Sequence, residues 1–248
     1  MIIVRTERWL AAAAILCGTA AWMVFVQRDL VLSHYDAKAH LVVARRVIDS
    51  LTPGWQQIGA VWLPLPHLLQ ILPTQVDWFY RTGLFGSLLS VTAFAISAWA
   101  AARLVLVITG SSLGAAIAGL LLLLNPNLLY LHSTPMTEPL LLALTLVVVL
   151  WTCEWLSQAD SPRSAAPAKL GWAMAAAMWT RYEAWPVVAA TLAIAAYVLW
   201  RKKPGFISSG RLADMKSGFV LALWPAAAAR LFMLNSRIRV GSWFVTGG

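Results

Sequence analysis

Apolar residues in this chain run in uninterrupted blocks about as long as a bilayer is thick, and that feature limits its fold more than any other. Blocks suited to crossing as helices fall at 9–27, 84–108, 113–131, 139–156, 170–180, 184–200 and 217–234. About 18–20 apolar residues span the hydrocarbon core as a helix. Backbone polar groups in lipid must be satisfied within the spanning segment, so every crossing is read as a helix. Of the 248 residues, 60% are hydrophobic and 12% charged, against about 45–50% and 25% in ordinary soluble domains. The fold class expected is an all-α integral membrane protein with about seven transmembrane helices, forming a single domain over residues 1–248. The last residues, Gly247-Gly248, follow a polar segment directly and read as the interruption of a longer sequence.

Sidedness follows from the short loops. The net charge is +9, and ten of the nineteen Lys and Arg residues lie at one end of the apolar blocks. Residues 201–216 hold five of them, Arg163 and Lys169 sit in 157–169, and Arg5 and Arg8 precede the first block. The positive-inside rule assigns these to the cytoplasm, and seven alternating crossings place all three on one side. Residues 28–82, 132–138, 181–185 and 235–248 then face outward, as expected of a multi-pass plasma (inner) membrane protein with its active face periplasmic or extracellular. Basic and aromatic residues do not interleave as on an RNA-binding surface, so no nucleic-acid partner is expected. Cys17 and Cys153 lie inside apolar blocks and read as small core residues. The first block, about 18 residues long and lacking a small-x-small cleavage site, reads as an uncleaved span.

The long first outer loop has structure of its own. Residues 36–51 place Ala37, Leu41, Ala44, Ile48 and Leu51 on one helical stripe, with Lys38, Arg45, Arg46 and Asp49 off it. That pattern suits an amphipathic helix lying in the membrane interface, ended by Thr52-Pro53-Gly54. Leu63 to Leu72 reads as a turn and a second short interfacial helix, with His67 packed in it. Trp62, Trp78, Phe79 and Tyr80 supply an aromatic belt.

Three polar clusters fall on the outer side. Asp36 and His40, four residues apart, share a helix face; Ser33 and Asp36 also have capping-box spacing. Glu138 opens the fourth long helix, where a negative charge suits the dipole. Arg181 and Glu183 follow only ten apolar residues, about 15 Å of helix, so either that helix starts deep or the charges sit below the surface. A charge at such a depth points to function; the plain alternative is an Arg181–Glu183 pair capping a hairpin. Asp36, His40 and Glu138 offer oxygen and nitrogen ligands for a divalent metal ion, though no spacing demands one.

These residues resemble a known family. An acidic residue just after the first span, on an amphipathic helix in a long outer loop, is similar to the GT-C glycosyltransferases. The segment 35–47 (YDAKAHLVVARRV) resembles the first-loop motif of glycosyltransferase family 39, the branch of protein O-mannosyltransferases and lipid A aminoarabinose transferases. Segments 134–142 (TPMTEPLLL) and 180–186 (TRYEAWP) resemble equivalently placed segments of bacterial relatives. Two departures stand out: Asp36 is followed by Ala37 where the family often has a second acid, and members usually have more spans.

The resemblance implies transfer of a hexose or pentose from a polyprenyl-phosphate donor to an acceptor on the outer face. On that reading Asp36 is the catalytic base. Arg181, with Lys38, Arg45 and Arg46, contacts the donor phosphate, and Glu138 and Glu183 complete the substrate site. The alternative is a non-enzymatic transporter or scaffold, which would carry polar residues near mid-bilayer in several spans; here they gather at one face. The two part on whether Asp36, Glu138 and Arg181 converge on one outer cavity.

Sidedness can be tested with an impermeant thiol reagent on intact cells. Cysteine placed at Lys38 should label and cysteine at Lys202 should not, both in a background without Cys17 and Cys153. Labelling at 202 alone would invert the topology.

Overall fold

A computed structural model describes residues 3–157, 168–202 and 209–245. The described residues are mostly helical and contain no strand. The chain starts with α1 (Ile3–Gln27) and then lays down the first loop, with α2 (Tyr35–Arg46), α3 (Leu65–Leu68) and α4 (Asp77–Thr82). The bundle continues with α5 (Leu84–Thr109), α6 (Ser112–Leu123), α7 (Pro126–Leu131), α8 (Glu138–Ser157), α9 (Ala168–Met178), α10 (Ala184–Lys202) and α11 (Ser209–Val240). Among the described residues, five helices are long and apolar enough to cross a membrane: those containing Thr6–Gln27, Leu84–Thr109, Glu138–Ser157, Ala184–Arg201 and Lys216–Val240. The chain is thus a helical membrane protein.

The two remaining blocks differ from the sequence-based expectation. The block 113–131 is divided between α6 and α7. Pro126 has no N–H to continue the first helix, and Asn125 caps the second by accepting from the backbone N–H of Asn127 and Leu128 at 3.0 and 3.2 Å. The block 170–180 is α9, of 11 residues, a rise of about 16 Å. Its Lys169 stacks over Trp151 of α8, while Arg181, just past its end, meets Glu138 at the first residue of α8.

Helix α5 is the axis of the bundle, with α1, α6 and α8 packed around it. Its buried positions are mostly small, among them Ser90, Ala93, Ala98, Ala100 and Ala102. Small residues let helix backbones approach where lipid supplies no hydrophobic drive. At one end Arg103 of α5 reaches Glu154 of α8 at 3.0 Å and Glu7 of α1 at 3.7 Å. The first loop gathers at the other end, here called the loop end. There Leu65 N–H bonds the carbonyl of Trp179 at 2.9 Å, and Trp55 donates to Asn235 of α11 at 2.8 Å. Arg163 and most of the basic segment 201–216, which set the sidedness above, lie outside the described residues or have undescribed side chains.

Between α7 and α8 the chain leaves regular helix while buried. Ser133, Thr134 and Thr137 are all but inaccessible. Buried carbonyls need partners, and hydroxyls of α5 supply them: Ser87 donates to the carbonyl of Ser133 at 3.0 Å and Ser90 to that of Thr134 at 2.6 Å. Gly86 makes the contact possible, because a Cβ there would stand 2.4 Å from Cβ of Pro135. Gly86→Ala should therefore cost about 1–3 kcal/mol by overpacking, read as a lower Tm in detergent. An unchanged Tm would mean that α5 and this segment are not in contact.

Candidate functional site

Helix α2 follows α1 after a seven-residue link and packs by one face chiefly on α3 and the short turns Trp55–Ile58 and Pro73–Gln75 of the first loop, with Ala37, His40, Leu41 and Ala44 buried. The amphipathic stripe is therefore present, but shorter than expected. The helix stops at Arg46, and Ile48 and Leu51 are exposed. The cap also differs. His34 is the N-cap, its Nδ1 accepting from Asp36 N–H at 3.2 Å. Ser33 instead donates to the carbonyl of Leu30 at 2.8 Å and meets the Tyr130 hydroxyl at 2.9 Å. Asp36 is left in the first turn, where the helix dipole favours its charge. Its carboxylate makes no ion pair or hydrogen bond with another described residue, and the side chain is half-buried.

Arg181 is the knot of the site. Its Nη1 donates to Glu138 Oε1 at 2.8 Å and to Thr137 Oγ1 at 3.0 Å, and its Nη2 donates to Glu183 Oε1 at 2.8 Å. Burial opposes the guanidinium charge, but Glu183, Glu138 and, at longer range, Asp36 outweigh it and hold the charged form. The hydrogen bond from Arg181 in turn keeps Glu183 below the usual carboxylate range. The Arg181–Glu183 pair weighed as a structural cap is thus present, extended to Glu138. Oε2 of Glu138 and the Tyr182 hydroxyl are buried without a hydrogen-bond partner.

A cavity of about 160 Å³ opens beside this knot, lined by His40, Val61, Trp62, Leu63, Thr137, Thr180, Arg181, Tyr182 and Glu183. His40 is fully buried behind it, and its Nδ1 lies 2.9 Å from Nε2 of the buried His67. Trp62 packs on His40 with ring centroids 4.4 Å apart. A larger cavity at the loop end, about 410 Å³, lies between the end of α1 and α4, with Trp22, Trp78, Asp29 and Arg81 among its walls. It touches neither Asp36 nor Arg181.

The residues singled out in the sequence are brought together only in part. Arg181, Glu138 and Glu183 form one cluster. His40 and Arg181 share the small cavity, with Asp36 in the field of Arg181. Arg45 is committed elsewhere, to Asp49 at 2.7 Å and Asp77 at 2.6 Å and stacked over Tyr80. Lys38 and Arg46 are exposed and form no ion pair among the described residues. No three His, Cys, Asp or Glu side chains among the described residues gather closely enough to hold a metal ion, so Asp36, His40 and Glu138 are not assembled here as a ligand set. Thr137 and Tyr182 were missed as site residues, their only sequence signal being adjacency to Glu138 and Arg181; His67, 27 residues from His40, was read as packing and carried no sequence signal for the pair.

No family model matches this chain, and comparisons with curated proteins and with solved structures find no match either. Fold and site together define a multi-helix membrane protein with a small cavity beside an Arg–Glu cluster at one end of its bundle.

The buried histidines make stability pH-dependent. Burial, then His67 and Arg181, lower His40 to about 3, and burial lowers His67 to about 4 against the pull of the Leu63 backbone. Unfolded rings titrate near 6.5. Below that pH the unfolded chain binds protons that the folded chain refuses. Stability is therefore full above about pH 6.5 and falls as pH drops toward 4, by up to about 1.4 kcal/mol per pH unit and ring. The Tm in detergent should fall between about pH 7 and pH 5, and His67→Leu should flatten the slope. A Tm indifferent to pH in the parent would show that these rings are not buried neutral.

Proposed function

We propose that this protein is a membrane glycosyltransferase of GT-C type, moving a sugar from a polyprenyl-phosphate donor to an acceptor at the outer face. The observation that carries the reading is a free carboxylate, Asp36. It is held in the first turn of a packed helix, on the same face as a histidine that lines a small aromatic-walled cavity beside Arg181 and Glu183. A donor with a polyprenyl tail stays in the bilayer, so its reacting carbon must be met where the apolar helices end. The loop end is such a place, and the sidedness inferred from the basic loops makes it the outer face. Sugars offer hydroxyls for hydrogen bonds and apolar ring faces for aromatic side chains. Trp62 and Tyr182 supply the latter, and a buried hydroxyl without a partner, as on Tyr182, costs about 1–3 kcal/mol until something pairs with it.

In the step itself an acceptor O–H attacks the anomeric carbon of the donor. The new carbon–oxygen bond forms as the bond from that carbon to the phosphate oxygen breaks. The proton passes to the Asp36 carboxylate, and polyprenyl phosphate leaves with the bonding pair. A positioned base contributes about 10²–10⁴-fold. The developing phosphate charge needs cations. Lys38 and Arg46 are free for this role, whereas Arg181 would have to share its fork with the two carboxylates that it holds.

The test is an assay of the protein in native membranes, which supply acceptors, with a panel of polyprenyl-phosphate hexoses and pentoses carrying radiolabelled sugar. Asp36→Asn removes the base and keeps the shape. It should insert and melt like the parent while transfer falls at least a hundredfold. Transfer at the parental rate by that variant would end the catalytic role of Asp36, and no transfer by the parent with any donor would end the reading.

A further inference from the structure

The cavity between the end of α1 and α4 has no part in the site above. It measures about 410 Å³, within the roughly 300–1,000 Å³ of small-molecule sites. It lies where two spanning helices meet the loops, since α1 ends at Gln27 and α5 starts at Leu84. At that level a bilayer changes from hydrocarbon to headgroups. Val26, Leu32 and Leu84 give the cavity apolar walls, and Trp22 and Trp78 line it as well. Trp78 is more than half exposed, as interfacial tryptophans are. A Cβ on Gly83 would stand 2.8 Å from the Leu32 side chain, so only glycine lets that wall lie so close to the start of α5.

Two opposite charges stand on these walls, Asp29 and Arg81. They do not pair with each other, and Asp29 makes no ion pair with any described residue. Arg81 meets Asp77 only at 4.0 Å, and the other oxygen of Asp77 is held by Arg45 at 2.6 Å. Asp29 also has the one positive φ outside glycine among the described residues, +54°. It closes α1: the N–H of Leu30 reaches back to the carbonyl of Phe25 at 2.9 Å, the bond that accompanies a left-handed residue at a helix end. Glycine takes such a position without strain, so the turn itself does not call for a carboxylate.

Two uncommitted opposite charges on one apolar, aromatic-lined cavity complement a dipolar head on an apolar body. A purely anionic head would be repelled by Asp29 and a purely cationic one by Arg81. We propose that this cavity binds the headgroup of an aminophospholipid, phosphatidylethanolamine. Its ammonium donates to the Asp29 carboxylate, its phosphate accepts from the Arg81 guanidinium, and its acyl chains pass along the apolar wall into the bilayer. A primary ammonium has three N–H donors, whereas the quaternary nitrogen of choline has none. The bound lipid joins the end of α1 to α4 and so braces the first loop where it leaves the bundle. The site shares no residue with the cavity beside Arg181 and does not depend on sugar transfer.

Native mass spectrometry of the full chain released from detergent tests the proposal. The probes are dioleoyl phosphatidylethanolamine, phosphatidylcholine and phosphatidylglycerol, titrated separately. The first phosphatidylethanolamine should bind about 3–10-fold more tightly than either other lipid, a range between an exposed ion pair and a charged hydrogen bond. Asp29→Asn removes the charge and keeps a residue that tolerates the left-handed turn. It should melt like the parent and lose the preference for ethanolamine. Arg81→Gln should weaken all three lipids, because each carries a phosphate. Equal affinity of the parent for the three lipids overturns the proposal, and so does a preference that survives Asp29→Asn. A polyprenyl phosphate, which has no ammonium, is the fourth probe. If it binds more tightly than phosphatidylethanolamine and is weakened by Arg81→Gln, the cavity takes a plain lipid phosphate and the proposal is overturned. The measurement uses no sugar donor, so its outcome is independent of the Asp36→Asn transfer assay.

Discussion

Everything in this protein depends on the cost of a backbone polar group without a partner in an apolar medium, several kcal/mol for each. Helices discharge it internally, and most of the chain is helix for that reason. The informative places are those where the helix gives out while still buried. Between α7 and α8 the carbonyls of Ser133 and Thr134 are met by Ser87 and Ser90. This lets the chain run irregularly beneath the loop end and deliver Thr137 and Glu138 to the site from below. Gly86 is part of the same arrangement, since the segment can lie against α5 only where a side chain is missing.

The polar knot at the loop end follows from the same constraint applied to side chains. A guanidinium half-buried at the top of a short helix needs anions, and Arg181 has two, drawn from different elements. The knot joins α8 to the α9–α10 turn, while His40 and His67 fasten α2 to α3 beside it. The bonds of Leu65 to Trp179 and of Trp55 to Asn235 hold the first loop against the bundle, and the Asp36 carboxylate is left untied. In the proposed function the free acid is the group that reacts and the bound ones position.

Much of this was legible in the sequence. The five long helices were visible because each is a continuous apolar block. The face of α2 was visible because Ala37, Leu41 and Ala44 recur at helical spacing. The end of that helix was misplaced: Ile48 and Leu51 continue the period, and nothing local shows that the chain turns away after Arg46. The cap was assigned to Ser33, which has the right chemistry, but a tertiary contact with Tyr130 claims that hydroxyl and leaves His34 to cap. Block 113–131 has the composition of one span, and Asn125-Pro126 carried the signal that it breaks.

The sequence by itself determined that the chain belongs in a membrane as a helical bundle, and that its polar residues collect in a few short segments. Hydropathy and helical period are local properties, summed over neighbours in the chain. Only the tertiary structure decided which of those polar residues meet. Arg181 finds Glu138 across 43 residues and His40 finds His67 across 27, whereas Arg45 turns to Asp49 and Asp77 instead. Such choices depend on distance, burial and competition among partners in space. Lys38 and Arg45, seven residues apart, carry the same charge in the sequence, yet one is left free and the other bound.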